Sequence, residues 1–138
     1  MTTSSKGGRS YSDPSYGSVK TYTFGVVTAG TRATGLVDSW KPMNPITILD
    51  WNQVNMTLGT GATSQWVLAA TSGSGTAALG TITWTGTHAA GTNMDGTATE
   101  TKVAKDGVVN LYSVLSTAAG LTLETTITYR EYFDVSDN

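Results

Sequence analysis

The chain predicts an all-β fold: one antiparallel β-sandwich or barrel, preceded by a polar N-terminal arm. Three observations predict it. Several segments alternate apolar and polar residues with period two, as strands with one buried face do. Glycine-rich turns separate them, with 16 glycines in 138 residues. No segment carries a convincing helical period. The clearest strand is Gly120 to Phe133. One parity reads Leu121, Leu123, Thr125, Ile127, Tyr129, Glu131 and Phe133; the other reads Thr122, Glu124, Thr126, Thr128, Arg130 and Tyr132. Burying Leu121, Leu123, Ile127 and Phe133 contributes roughly 1.5–3 kcal/mol each, an upper estimate of about 6–12 kcal/mol together. That is comparable with the net stability of a whole domain, about 5–15 kcal/mol, so the fold needs this strand.

Residues 1–19 read as the arm and residues 20–138 as the domain. The arm is rich in Ser, Gly, Thr and Tyr and almost without aliphatic side chains, a composition that builds no core of its own. Fully extended it reaches roughly 60–70 Å. That is enough to cross onto a neighbouring subunit; the other reading folds it back on its own domain. Arg9, Tyr11 and Tyr16 are its candidate partner contacts, the tyrosines because aromatic side chains give large contacts for little entropy.

Lys20 to Thr28 reads as the first strand, with Tyr22, Phe24 and Val26 on one face. Leu36 to Met43 is a short strand. Pro42 and Pro45 place it at an edge or corner, because neither can donate a ladder hydrogen bond. Ile46 to Leu58 is a long β segment. Ile46 and Ile48 share a face, Val54, Met56 and Leu58 form a second run, and Asp50-Trp51-Asn52 between them marks a bulge or bend. Gly59 to Thr63 is a loop, Gln65 to Ala70 a strand, and Thr71 to Thr76 another loop. In Leu79 to Thr87, Ile82 and Trp84 alternate with threonines. His88 to Gly96 reads as a long loop and Thr97 to Ala104 as a polar strand. Lys105-Asp106-Gly107 is a tight turn in which Gly107 supplies the positive φ. Val108 to Leu115 leads into the last strand. The total is about eight strands, the number of an antiparallel sandwich or barrel.

Composition removes several function classes. With no cysteine there are neither disulfides nor thiolate metal sites. Charged residues make up 13 % of the chain, about half the usual share of roughly 25 %. The net charge is -2 and the eight Lys and Arg residues are scattered, unlike the basic patch of a nucleic-acid reader. No apolar run approaches the roughly 20 residues of a membrane-spanning helix. Neither nucleic acid nor membrane is therefore an expected partner. Met1 to Lys20 lacks the apolar core of a secretory signal. That predicts a protein that stays in its producer's cytosol or leaves by a route such as lysis. Asn55-Met56-Thr57 fits the glycosylation sequon, and without such a signal it reads as chance.

Candidate chemistry is sparse. His88 is the single histidine and sits among Gly, Ala and Thr, where it reads as a solvated loop residue. None of the ten carboxylates lies in a recognisable catalytic motif. Asn93-Met94-Asp95-Gly96 resembles the start of a calcium loop but lacks the remaining ligand spacing and the terminal Glu. No phosphate loop or nucleophile elbow is present. No metal, cofactor or enzymatic activity is expected. Trp40, Trp51, Trp66 and Trp84 are expected in the core or at an interface. An exposed row of them would instead make a carbohydrate-binding platform.

The order of motifs resembles a small jelly-roll type found in tailed-phage virions, in head decoration (cement) proteins and fibre-associated modules. The matching stretches are Gly30-Thr31, Trp40 to Pro45, Ile46 to Leu58, Lys105-Asp106-Gly107 and Gly120 to Arg130, within Thr21 to Phe133. The resemblance implies a jelly-roll sandwich and a structural role on the outer surface of the head. It also implies the major capsid protein as partner and self-association, with a trimer favoured. It transfers no functional residue. A tail- or fibre-associated adaptor and a carbohydrate-binding module for cell attachment are the alternatives. On the last strand, Arg130 and Tyr132 are the candidate subunit contacts.

Overall fold

In a computed structural model of the chain, residues 18–29, 35–57, 60–72, 75–96, 101–119 and 121–131 are described. They form ten strands: β1 (Val19–Thr23), β2 (Val27–Ala29), β3 (Gly35–Trp40), β4 (Ile46–Asn55), β5 (Thr60–Ser72), β6 (Gly75–Thr85), β7 (Asn93–Gly96), β8 (Thr101–Val103), β9 (Val108–Ala119) and β10 (Leu121–Glu131). One sheet runs β1-β10-β4-β7, with β2 also on β10 and β8 also on β4; the other runs β3-β9-β5-β6. Every pairing is antiparallel.

Counting β1/β2 and β7/β8 as two interrupted strands leaves eight positions. In chain order the first then pairs with the eighth, the second with the seventh, the third with the sixth and the fourth with the fifth. This nested pairing is a jelly-roll wrap. The short strand bearing Trp40 is an edge of its sheet, as the flanking prolines require.

Register explains where the alternation read from the sequence changes phase. Thr23 lies opposite Thr126 and Val27 opposite Leu123, so the first strand carries one more residue than β10 over that span. An extra residue flips the side chains after it to the other face. Phe24 stays buried, Val27 packs on the core, and Val26, expected beside Phe24, is 54 % exposed. On β4 the partner of Thr128 is Asp50 and that of Tyr129 is Ile48, which passes over Leu49. The bulge thus falls just before the predicted Asp50-Trp51-Asn52. Beyond it the inward side chains are Trp51, Gln53 and Asn55, correcting the expected run of Val54, Met56 and Leu58. Met56 is exposed, and Leu58 lies outside the described residues.

The core joins both sheets: Phe24, Ile46, Ile48, Trp51, Leu123 and Ile127 from one, Trp66, Leu68, Trp84 and Leu111 from the other. Several of its polar groups are hydrogen-bonded, one of them from sheet to sheet, while Trp51 Nε1 and Ser113 Oγ are buried without a partner among the described residues. Trp84 Nε1 donates to Gln53 Oε1 at 2.9 Å, and Gln53 Nε2 donates to Thr125 Oγ1 at 3.0 Å. Trp66 Nε1 reaches Ser64 Oγ at 2.6 Å.

Other boundaries shift as well. Asn93–Gly96, expected within a loop, is β7 and pairs with β4, so the calcium-loop reading of these residues has no loop to stand on. β5 starts at Thr60, inside the expected loop, and β6 starts at Gly75. In the Lys-Asp-Gly turn, Asp106 takes the positive φ of 70° that was expected of Gly107. Gly107 is required for space: a Cβ there would lie 2.5 Å from Val103 Cγ1 and 2.9 Å from two backbone oxygens.

Candidate functional site

β1 and β3 are edges on the same side of the sandwich. There, close to where β1 begins and β10 ends, a cleft of about 270 Å³ opens between the sheets. Its walls are aromatic. Tyr22 from β1 and Trp40 from the end of β3 stack at 4.2 Å with their planes 4° apart, so the ring pair spans the two sheets. Tyr129 of β10 lies 4.9 Å from Trp40, tilted by 59°. Phe24 meets Tyr22 edge-on at 5.4 Å and anchors the group to the core. Edge-to-face and offset contacts of this kind are worth about 0.5–1.5 kcal/mol each beyond burial, so the walls are held in place without a ligand.

One end of the cleft is polar. The sequence puts Lys20 and Tyr22 on the same face of β1, and Tyr129 and Glu131 on the same face of β10. Antiparallel pairing then sets Lys20 opposite Tyr129. The Lys20 ammonium pairs with Glu131 Oε1, and Asn44 Nδ2 donates to Glu131 Oε2 at 2.6 Å. These two donors, Lys20 first, hold the Glu131 carboxyl below the usual carboxylate range. The hydrogen bond and charge of Glu131 raise Lys20 above the usual lysine range. The Glu131 contribution to stability is present above the ordinary carboxylate range and lost as pH falls through the lowered value. The Lys20 contribution is present below the ordinary lysine range and lost as pH rises through the raised one. Both charges therefore persist across neutral pH. As a pair near the surface, screened by solvent, they add little to stability. Met43, 91 % exposed, stands at the lip.

Of the residues singled out from the sequence, Arg9, Tyr11, Tyr16 and Tyr132 lie outside the described residues. Arg130 is exposed on the outer face of β10 and makes no ion pair among the described residues. On that face Thr23 and Thr126 share a hydroxyl contact of 3.2 Å. Trp51, Trp66 and Trp84 are fully buried, so no row of tryptophans faces solvent, and Trp40 alone is partly open. His88 is more engaged than a solvated loop residue: its Nε2 lies 2.8 Å from the Thr85 carbonyl and its ring meets Trp84 edge-on. The sequon does not present an acceptor in the folded chain. Asn55 is fully buried, and its amide nitrogen donates to the carbonyls of Thr57, His88 and Ala89.

Lys20, Tyr22, Asn44, Tyr129 and Glu131 were not marked out from the sequence as site residues. The signal was present in pieces: Lys-x-Tyr opening the first strand, Tyr-x-Glu closing the last, and a Trp beside a proline corner. Nothing local joins them. No known family, curated protein or solved structure matches the chain.

Proposed function

We propose that this chain is a structural protein of a tailed-phage virion. In this role it is a decoration (cement) protein that binds the outer head surface and stabilises the capsid by bridging neighbouring subunits of the major capsid protein. What supports this is the place of the stretch that carries the resemblance: its residues from Leu121 to Arg130 lie in β10, flanked on both sides in the larger sheet of a jelly-roll wrap. The outer face of the smaller sheet adds an apolar row across three strands, Leu36 opposite Tyr112 and Tyr112 opposite Val67, with Leu36 58 % exposed. A protein that bridges subunits acts by mass action: it binds the assembled shell and stabilises it by contact area, with no chemistry. Self-association as a trimer, with Arg130 and Tyr132 at the contact, belongs to the same proposal.

A truncated chain beginning at Ser18 tests the arm's part in it. Val19 pairs with Arg130 and opens β1, so this cut keeps all ten strands of the described residues. The shortened protein is expected to melt within a few degrees of the full chain and to occupy capsids at a much lower level when added to particles stripped of it. Equal occupancy by both forms would contradict a bridging arm.

A further inference from the structure

We infer that the aromatic cleft between β1 and β3 is a binding site for a single neutral sugar ring, such as the terminal residue of a glycan. This stands independently of the virion role. A pyranose has apolar C–H faces and a rim of hydroxyls, each hydroxyl both donor and acceptor. The cleft offers matching chemistry in one place. Tyr22, Trp40 and Tyr129 supply flat apolar walls, while Glu131, Asn44 and Lys20 gather a carboxylate, an amide and an ammonium at one end. The Lys20 side chain is 47 % exposed, so donors beyond the one facing Glu131 reach the solvent. Glu131 is anchored by two donors and retains lone pairs for a ligand hydroxyl. At about 270 Å³ the cleft lies just below the roughly 300–1,000 Å³ of pockets for drug-sized ligands, which fits one ring better than an oligosaccharide. The stacked walls are already in place, so little side-chain order is lost on binding.

The test uses the full chain with methyl glycosides of glucose, galactose and mannose and with N-acetylglucosamine, followed by tryptophan fluorescence and by NMR shifts. Because the other three indoles are buried, a ligand in the cleft should perturb Trp40 alone. At least one probe is expected to bind in the micromolar to millimolar range and to shift the Trp40 indole and Tyr129 ring signals. Glu131→Gln and Asn44→Ala leave the rings untouched and should each weaken binding about tenfold. Trp40→Ala should abolish it, and the two surface variants keep the test decisive if Trp40→Ala loses its fold. Three results would each overturn the assignment: no binding of any probe at millimolar concentration, binding unchanged in both surface variants, or shifts confined to residues outside the cleft. A synthetic peptide of residues 1–17 is the competing occupant. Its binding in the cleft while every sugar fails would give the site to the arm instead.

Discussion

Gly96→Ala is expected to destabilise the protein by about 3 kcal/mol, the upper end of the usual overpacking cost. Gly96 of β7 lies directly opposite Trp51 of β4, and the indole lies over it. A Cβ at position 96 would fall 2.2 Å from both Trp51 Cε2 and Nε1 and 2.7 Å from Cδ1. The ring cannot swing away, because Trp51 is 1 % exposed and packed within the core. Either β7 leaves β4 or the indole takes a strained rotamer. Thermal unfolding should show a midpoint lower by roughly 10 °C. Gly35→Ala is the control. A Cβ there meets nothing within 4 Å, and its cost should stay within about 0.5 kcal/mol. Trp51→Phe in the Gly96→Ala background should recover part of the loss, since residues in contact do not add independently. A Gly96→Ala protein as stable as the original would show that the indole does not cover this glycine.

Asn55→Ala is expected to cost about 2–4 kcal/mol, because it removes a fully buried side chain and several part-buried hydrogen bonds to backbone groups at once. The Asn55 amide nitrogen serves the carbonyls of Thr57, His88 and Ala89, and its Oδ1 accepts from the backbone N–H groups of Thr57 at 3.4 Å and Thr122 at 3.3 Å. Its own backbone bonds Gly91 and Thr92. One side chain thereby ties the end of β4, the β6–β7 connection and the start of β10. Hydrogen exchange at Gly91 and Thr122 should accelerate in the variant by more than at Ile127, in the middle of β10. Asn55→Asp sharpens the test. It keeps the shape but points a carboxylate at three carbonyl oxygens, which raises its folded pKa above the ordinary aspartate value. A raised carboxyl pKa means that the folded state holds the extra proton, so this variant should gain stability relative to the original as pH falls towards the ordinary aspartate range. A stability difference that does not change with pH would place the side chain elsewhere.

The last strand was the most legible element because nothing interrupts its own alternation: Leu123, Thr125 and Ile127 are buried in step. A sandwich or barrel around it was legible from the turn spacing, while the jelly-roll wrap was what the resemblance implied. β4 misled in its second half. One extra residue at Leu49 reverses the phase, and period-two reading then assigns Val54 and Met56 to the interior in place of Gln53 and Asn55. An apolar pattern cannot foresee buried amides whose partners lie elsewhere in the chain, on Trp84 and Thr125 for Gln53 and on His88 and Thr122 for Asn55. The turn at Lys105 to Gly107 was read correctly as a turn, yet the glycine answers to crowding by Val103 and not to its φ. The cleft was invisible for a similar reason. Trp40 stood out by type, but Tyr22, Tyr129 and Glu131 become its neighbours only when the first strand and the last lie side by side at the edge that faces β3.

The most direct measurement of the proposed role is a reconstruction of the intact particle at a resolution that resolves β-sandwiches. The expected result is this jelly roll on the outside of the head, touching more than one capsid subunit and present in hundreds of copies. Its absence from the particle would contradict a virion role. A handful of copies confined to the tail would contradict the decoration role and leave the adaptor in its place.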